Sequence, residues 1–283
     1  MQIFNSPRTP LVVVVGPTAV GKSTFALSVA ERVGGEIVSA DSRQIYRGMD
    51  IGTAKPTPEE QARVRHHLID VVDPDGEYTV AHFQADARTV IADVFRRGRL
   101  PMLVGGTGLY VRAVIEGLTI PPVAPDPAIR AELEAYAGRE GATALHRRLQ
   151  AVDPVAAGRI HPHNVRRVVR ALEVYYQTGR PFSAQQRVMP PPYDLFVVGL
   201  TVERSELYRR IDVRVDAQIA AGLVEENRRL AERGYSLALP SMTGLGYRQI
   251  QLYLQGRLSL DEAVQLLKHE THLPVIVDPS HAA

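Results

Sequence analysis

The octapeptide Gly16-Pro-Thr-Ala-Val-Gly-Lys-Ser23 constrains the fold of this chain more than any other stretch. It meets G-x-x-x-x-G-K-[ST] at every fixed position. An all-apolar run, Leu11 to Val15, precedes it. Ser23 to Val33 follows, with Phe25, Ala26, Val29, Ala30 and Val33 at helical spacing. Strand, glycine loop and helix in that order form a cradle for phosphate. The glycines let backbone N–H groups turn inward, and the helix N-terminus adds orphan donors and partial positive charge. Gly16, Pro17, Thr18, Ala19, Val20, Gly21, Lys22 and Ser23 are therefore the expected phosphate loop. Lys22 would reach the terminal phosphates, and the Ser23 hydroxyl would sit on Mg²⁺. The loop alone leaves open which phosphate compound it holds.

Around the loop, short apolar runs alternate with helical patterns. Glu36–Ala40 and Leu100–Val104 read as further buried strands, and Thr79 to Arg97 as a helix with Phe83, Ala87, Val90, Ile91 and Val94 on one face. This repetition predicts an α/β fold, a P-loop NTPase-like parallel sheet flanked by helices. The character changes at Ile120-Pro-Pro-Val-Ala-Pro-Asp-Pro127, where the prolines cannot continue a helix or a central strand. Ala128 to Tyr176 is helical without a strand signal, and a second break falls at Met189-Pro-Pro-Pro192. Leu195–Thr201 then reads as another buried strand. The expected organisation is a discontinuous core, residues 1–120 and 181–283, with an α-helical insertion domain at 121–180. Later, Leu207, Ile211, Val215 and Ile219 form an apolar stripe with Arg210 and Arg214 beside it. Ser259-Leu-Asp-Glu262 is a capping box that opens a last helix.

Several function classes fall away on composition. The net charge is only +2, so a nucleic-acid surface must come from local clustering. Cysteine is absent, which removes disulfides, thiolate nucleophiles and cysteine-held zinc and fits a cytoplasmic protein. No apolar run approaches the ~20 residues of a spanning helix, and no leader pattern opens the chain, so no membrane partner is expected.

Three places could carry chemistry. Asp41 ends the second strand, where ligands of parallel sheets collect. It could bind Mg²⁺, hydrogen-bond a base or sugar, act as a general base, or simply serve as a helix N-cap. The third strand ends in Gly105-Gly-Thr-Gly-Leu-Tyr110 and lacks the acidic residue that P-loop hydrolases use to hold Mg²⁺, which argues against an ATPase or GTPase. From Arg159 to Arg187 the chain holds six arginines and two histidines against one glutamate, Glu173. Arg166 and Arg170 share a helical face with Arg167 nearby, a spacing that suits adjacent phosphates, although a solvated face is the simpler reading of a charge run alone. Arg214 would point inward or to a cleft edge, or else pair with Asp212 or Asp216.

Taken together, GPTAVGKS (Gly16–Ser23), EIVSADSRQIYRGMDIGTAKP (Glu36–Pro56), HHLID (His66–Asp70), Asp86-Ala87, GGTGLY (Gly105–Tyr110), RIHPHNVRRVVRALEVY (Arg159–Tyr175), RIDVRVD (Arg210–Asp216) and GLGYRQI (Gly244–Ile250) resemble the tRNA dimethylallyltransferases, or tRNA isopentenyltransferases. The resemblance implies transfer of the dimethylallyl group from dimethylallyl diphosphate to N6 of the adenine 3′ to the anticodon. It implies a phosphate loop that grips the donor's diphosphate. Lys22, Ser23 with Mg²⁺, and Arg214 would stabilise the leaving group, Asp41 would be the base, and Thr107 would contact the tRNA. Ser42, Arg43 and Gln44 would hold a flipped-out nucleotide beside Asp41. Arg130, Arg166, Arg167, Val168, Val169 and Arg170 would meet the anticodon stem, which reverses the reading of a solvated face. A cytoplasmic monomer whose partners are tRNA and dimethylallyl diphosphate follows. From about His272 the sequence leaves the family pattern and resembles a segment of 3-deoxy-7-phosphoheptulonate synthases. That tail makes a tRNA-binding relative with impaired catalysis one alternative, and the loop alone makes a P-loop small-molecule kinase the other.

Overall fold

A computed structural model describes residues 8–121, 123–185 and 193–272. Its contacts divide the chain into two compact units. One comprises residues 8–115 and 193–272, the other residues 116–185. The Pro190–Pro192 break and the tail beyond His272 lie outside the described residues.

The first unit is built on five parallel strands: β1 Thr9–Val15, β2 Gly35–Ser39, β3 His66–His67, β4 Leu100–Val104 and β5 Tyr193–Gly199. Their order is β3-β2-β4-β1-β5. Side chains of a strand alternate between faces, and β1 shows the consequence. Val12 and Val14 pack toward helix α1 (Lys22–Val33), among Ala26, Leu27 and Ala30. Leu11 and Val13 join the opposite cluster with Phe83, Ala87 and Ile91. Those three belong to helix α3 (Val80–Arg96), which follows the short α2 (Pro58–Arg63). Continuous apolar strands thus acquire a helix layer on each face, the signature of a P-loop NTPase-like sheet.

Two local expectations need correction. On α1 the buried residues are Ala26, Leu27 and Ala30, whereas Phe25 and Val33 are exposed. Ala26, Val29 and Ala30 of the expected stripe do pack on the sheet, and Leu27 joins them where Phe25 and Val33 do not. Strand β5 is not buried as its apolar run suggested: Phe196 and Val197 are 62% and 53% exposed. It is an edge strand with β1 as its single neighbour, and hydrophobicity alone does not separate an edge from a centre.

The last third of the first unit is helical. Beyond α4 (Gly108–Ile115) and the second unit come α10 (Arg204–Ala220), α11 (Leu223–Glu232), α12 (Tyr247–Leu254) and α13 (Leu260–His272). Ile211 and Val215 of the expected α10 stripe are buried, with Leu207 and Ile219 packed beside them. Ser259 and Glu262 exchange the two bonds of a capping box at the start of α13.

The second unit holds α5 (Pro127–Glu140), α6 (Ala142–Val152), α7 (Pro154–Arg159), α8 (Val165–Thr178) and α9 (Phe182–Gln185) around its own core. Glu173 of α8 is fully buried. Its carboxylate accepts from the Asp126 amide at 2.7 Å, from Arg130 Nε and Nη2 at 2.8 and 3.0 Å, and from Arg170 Nη1 at 2.6 Å. Burial alone would raise its pKa, but the two guanidiniums outweigh that and hold it below the ordinary value. The stabilisation is therefore present above the unfolded glutamate pKa and lost as the pH falls through the lowered one. Glu173→Gln should cost about 3 kcal/mol, because buried donors lose a charged acceptor. A lower urea midpoint would show this, and an unchanged midpoint would refute it.

Candidate active site

At the carboxyl ends of β1, β2 and β4 lies a cavity of about 440 Å³. The phosphate loop forms one wall: Gly21, with φ 101°, caps α1, and Thr18, Ala19, Gly21, Lys22 and Ser23 face the space. The Gly16, Pro17 and Val20 backbone completes the loop; Lys22 Nζ donates to Gly16 O at 2.9 Å and Pro17 O at 2.7 Å. Burial lowers the Lys22 pKa to about 8, with Arg214 lowering it further and Asp41 opposing.

Asp41 follows β2 on the same rim. Its Oδ1 accepts from the Arg43 amide at 2.8 Å and the Gln44 amide at 3.4 Å; no helix starts here, so the expected helix N-cap is instead a turn closed by the side chain. Oδ2 has no hydrogen-bond partner among the described residues. The GGTG turn reaches this rim because Gly105 lies against β2: a Cβ there would stand 2.1 Å from Ala40 O. Thr107 consequently meets Ser42, accepting from its amide at 3.0 Å and donating to its hydroxyl at 3.3 Å.

Helix α10 supplies the opposite wall. Arg210 and Arg214 both face the cavity. Arg214 makes no hydrogen bond or ion pair with another described residue. Asp212 pairs with His272 and Asp216 with Lys268, which removes the surface pairing considered for Arg214. Burial holds its pKa below the ordinary arginine value, while Asp41 raises it. A half-buried, unpaired guanidinium next to a lysine is a strong attractor for a multiply charged anion.

The geometry confines other expected residues. Arg43 Nη1 donates to Pro240 O and Ser241 O at 2.7 and 3.2 Å. Gln44 accepts from Ser39 and donates to Thr53 O and Ala54 O. In the second unit, Arg130 and Arg170 are held by Glu173, and Arg170 also donates to Val123 O at 2.8 Å. Val168 and Val169 are buried in the core of that unit, so their side chains offer nothing to a polyanion. Arg166 is exposed; Arg167 is half-buried, with its amide on the Asn164 cap. Sequence reasoning missed Lys55, Glu60 and His66 as cavity residues. Lys55 and His66 fell inside quoted motifs, but nothing in their spacing told a wall from a strand end.

The sequence profile of the IPP transferase family matches residues 44–273. The chain belongs to that family. A tRNA dimethylallyltransferase of Roseiflexus sp. (strain RS-1) is 57% identical over 263 residues, covering 93% of this chain and 86% of that protein. The tRNA isopentenylpyrophosphate transferase of Bacillus halodurans superposes with a TM-score of 0.68 at 46% identity, covering 94% of this chain and 84% of the other. A eukaryotic dimethylallyltransferase acting on tRNA gives a TM-score of 0.79 at 26% identity, over 93% and 67% of the two chains. As an IPP transferase the chain is a prenyltransferase by class, which separates it from the small-molecule kinases that share the loop. No helix of the described residues is long and apolar enough to cross a membrane.

Proposed function

We propose that this IPP transferase moves the dimethylallyl group of dimethylallyl diphosphate to N6 of the adenine 3′-adjacent to the anticodon of tRNA. The observation that carries the reading is the unpaired Arg214 facing Lys22 across a cavity whose rim bears Asp41. Cations gather where a diphosphate would depart, and a carboxylate oxygen stands uncommitted at the acceptor side.

The donor's diphosphate lies on the phosphate loop, held by its amides, Lys22 and Arg214. The Ser23 hydroxyl, exposed in the cavity, would help hold a Mg²⁺ ion, which would neutralise charge on the leaving group. The adenine must leave its stack to reach the allylic carbon, at a cost of a few kcal/mol. Thr107 and the Ser42–Gln44 turn border its place. Its N6 bonds to C1 of the prenyl group as the C1–O bond breaks, and the electron pair leaves with the diphosphate. The N6 proton passes to Asp41 Oδ2. The helical second unit would meet the anticodon stem through Arg166 and Arg167, with the clamped Arg130 and Arg170 presenting their remaining N–H groups. A cytoplasmic monomer suffices for this chemistry.

Lys22 also sets a pH dependence. Its folded pKa is lowered, so above about pH 8 the lysine is neutral in the empty site. Diphosphate binds its charged form, so binding takes up a proton above that pH. The donor KM should therefore rise by up to about tenfold per unit above pH 8, and be flat below it as far as Lys22 decides. A donor KM independent of pH from 7 to 10 would contradict Lys22 as a diphosphate ligand. The reading as a whole is tested by label transfer from dimethylallyl diphosphate to an anticodon stem-loop.

A further inference from the structure

The DIGTAKP segment, Asp50–Pro56, carries no step of the reaction, yet the molecule grips it from two sides. Its first three amides go to one buried carboxylate. Glu226 of α11 is 3% exposed and accepts from the amides of Asp50 at 2.9 Å, Ile51 at 2.8 Å and Gly52 at 3.2 Å. The hydroxyl of Tyr247 donates to the same group at 2.6 Å. Three successive N–H groups turned to one point form an anion nest, here filled by the protein's own side chain. The carbonyls of the segment go elsewhere: Gln218 Nε2 of α10 donates to Ile51 O at 2.7 Å and Gly52 O at 3.1 Å. Gly52 has no room for a side chain, since a Cβ would lie 2.5 Å from the Tyr247 ring.

What this grip fixes is the acceptor side of the cavity. The next two carbonyls, Thr53 O and Ala54 O, receive Gln44 Nε2, and the Gln44 amide closes the turn on Asp41 Oδ1. Gln218 stands four residues after Arg214 on α10, hence on the same helical face. One helix therefore offers its guanidinium to the diphosphate end and holds the wall that aligns the base.

We propose that Gln218 and Glu226 are positioning residues that hold the Asp50–Ala54 wall so that Gln44 and Asp41 face the acceptor adenine. Neither touches substrate, and the inference rests on the prenyl-transfer reading above. Displacing a reacting group by about 1 Å costs roughly 10²-fold. Gln218→Ala, which removes two bonds from a half-buried side chain, should lower kcat about tenfold per donor-binding site and leave the donor KM within about twofold. Tyr247→Phe, which removes one of the four donors to Glu226, should lower kcat in the same sense by less. Amide exchange at Ile51 and Gly52 should quicken in both full-length variants. A merely structural role would reduce the fraction of molecules that bind donor and leave kcat per binding site unchanged; that result would overturn the inference. So would unchanged exchange at Ile51 and Gly52. If the unsubstituted chain transfers no prenyl group, the functional reading fails and this inference with it. If the unsubstituted chain transfers and the variants match it, only the inference fails.

Discussion

Asp41→Asn is expected to lower kcat for prenyl transfer by about 10²–10⁴-fold, with tRNA affinity changed little. The asparagine variant is informative because Asp41 has two jobs on two oxygens. Oδ1 closes the turn through the Arg43 and Gln44 amides. An amide oxygen can still accept those bonds, so the turn survives. Oδ2 is the uncommitted acceptor, and the amide nitrogen that replaces it cannot take the N6 proton. Asp41→Ala removes both functions and should add about 1 kcal/mol of instability from the lost turn hydrogen bonds. Single-turnover rates together with filter binding of the tRNA separate the effects. An asparagine variant with normal kcat would leave Asp41 a turn residue and nothing more.

Arg214→Ala should reduce kcat by about 10²–10³-fold, the usual cost of removing one group aimed at charge that develops in the transition state. Here the expected stability change has the opposite sign. Arg214 makes no bond to another described residue, and burial penalises its charge. Removing it relieves that cost, so the thermal midpoint should hold or rise while activity falls. A loss of stability in step with activity would mean that the guanidinium has a structural partner. Slow turnover with an intact fold is what a leaving-group clamp predicts.

The phosphate loop was legible because its residue types are dictated by backbone geometry: only glycines and a helix start make that cradle. The α3 face was equally plain, since its apolar stripe meets one partner layer, and so was β4, whose short unbroken apolar run suits a strand covered on both faces. The exposure of β5 was not legible, because the apolar run is the same whether one or two strands flank it. Nor was Glu173. In the sequence it is a lone acid in a basic stretch; in the fold it claims Arg130 and Arg170, two of the arginines that the family resemblance gives to the anticodon stem. Val168 and Val169 were drawn into the same motif by adjacency, and helical rotation takes them into the core. The sequence alone offers Arg214 a cleft or a surface pair; Lys268 and His272, from the distant helix α13, decide it by taking both aspartates.

The central claim is that the loop grips a leaving diphosphate and does not spend a nucleotide. The most direct measurement incubates the full chain with dimethylallyl diphosphate, Mg²⁺ and an unmodified anticodon stem-loop, then digests the RNA to nucleosides for mass analysis. The account predicts N6-isopentenyladenosine at the position 3′ to the anticodon, with diphosphate released in equal amount and no requirement for ATP. RNA recovered unmodified, or a product that carries phosphate from ATP, would contradict it.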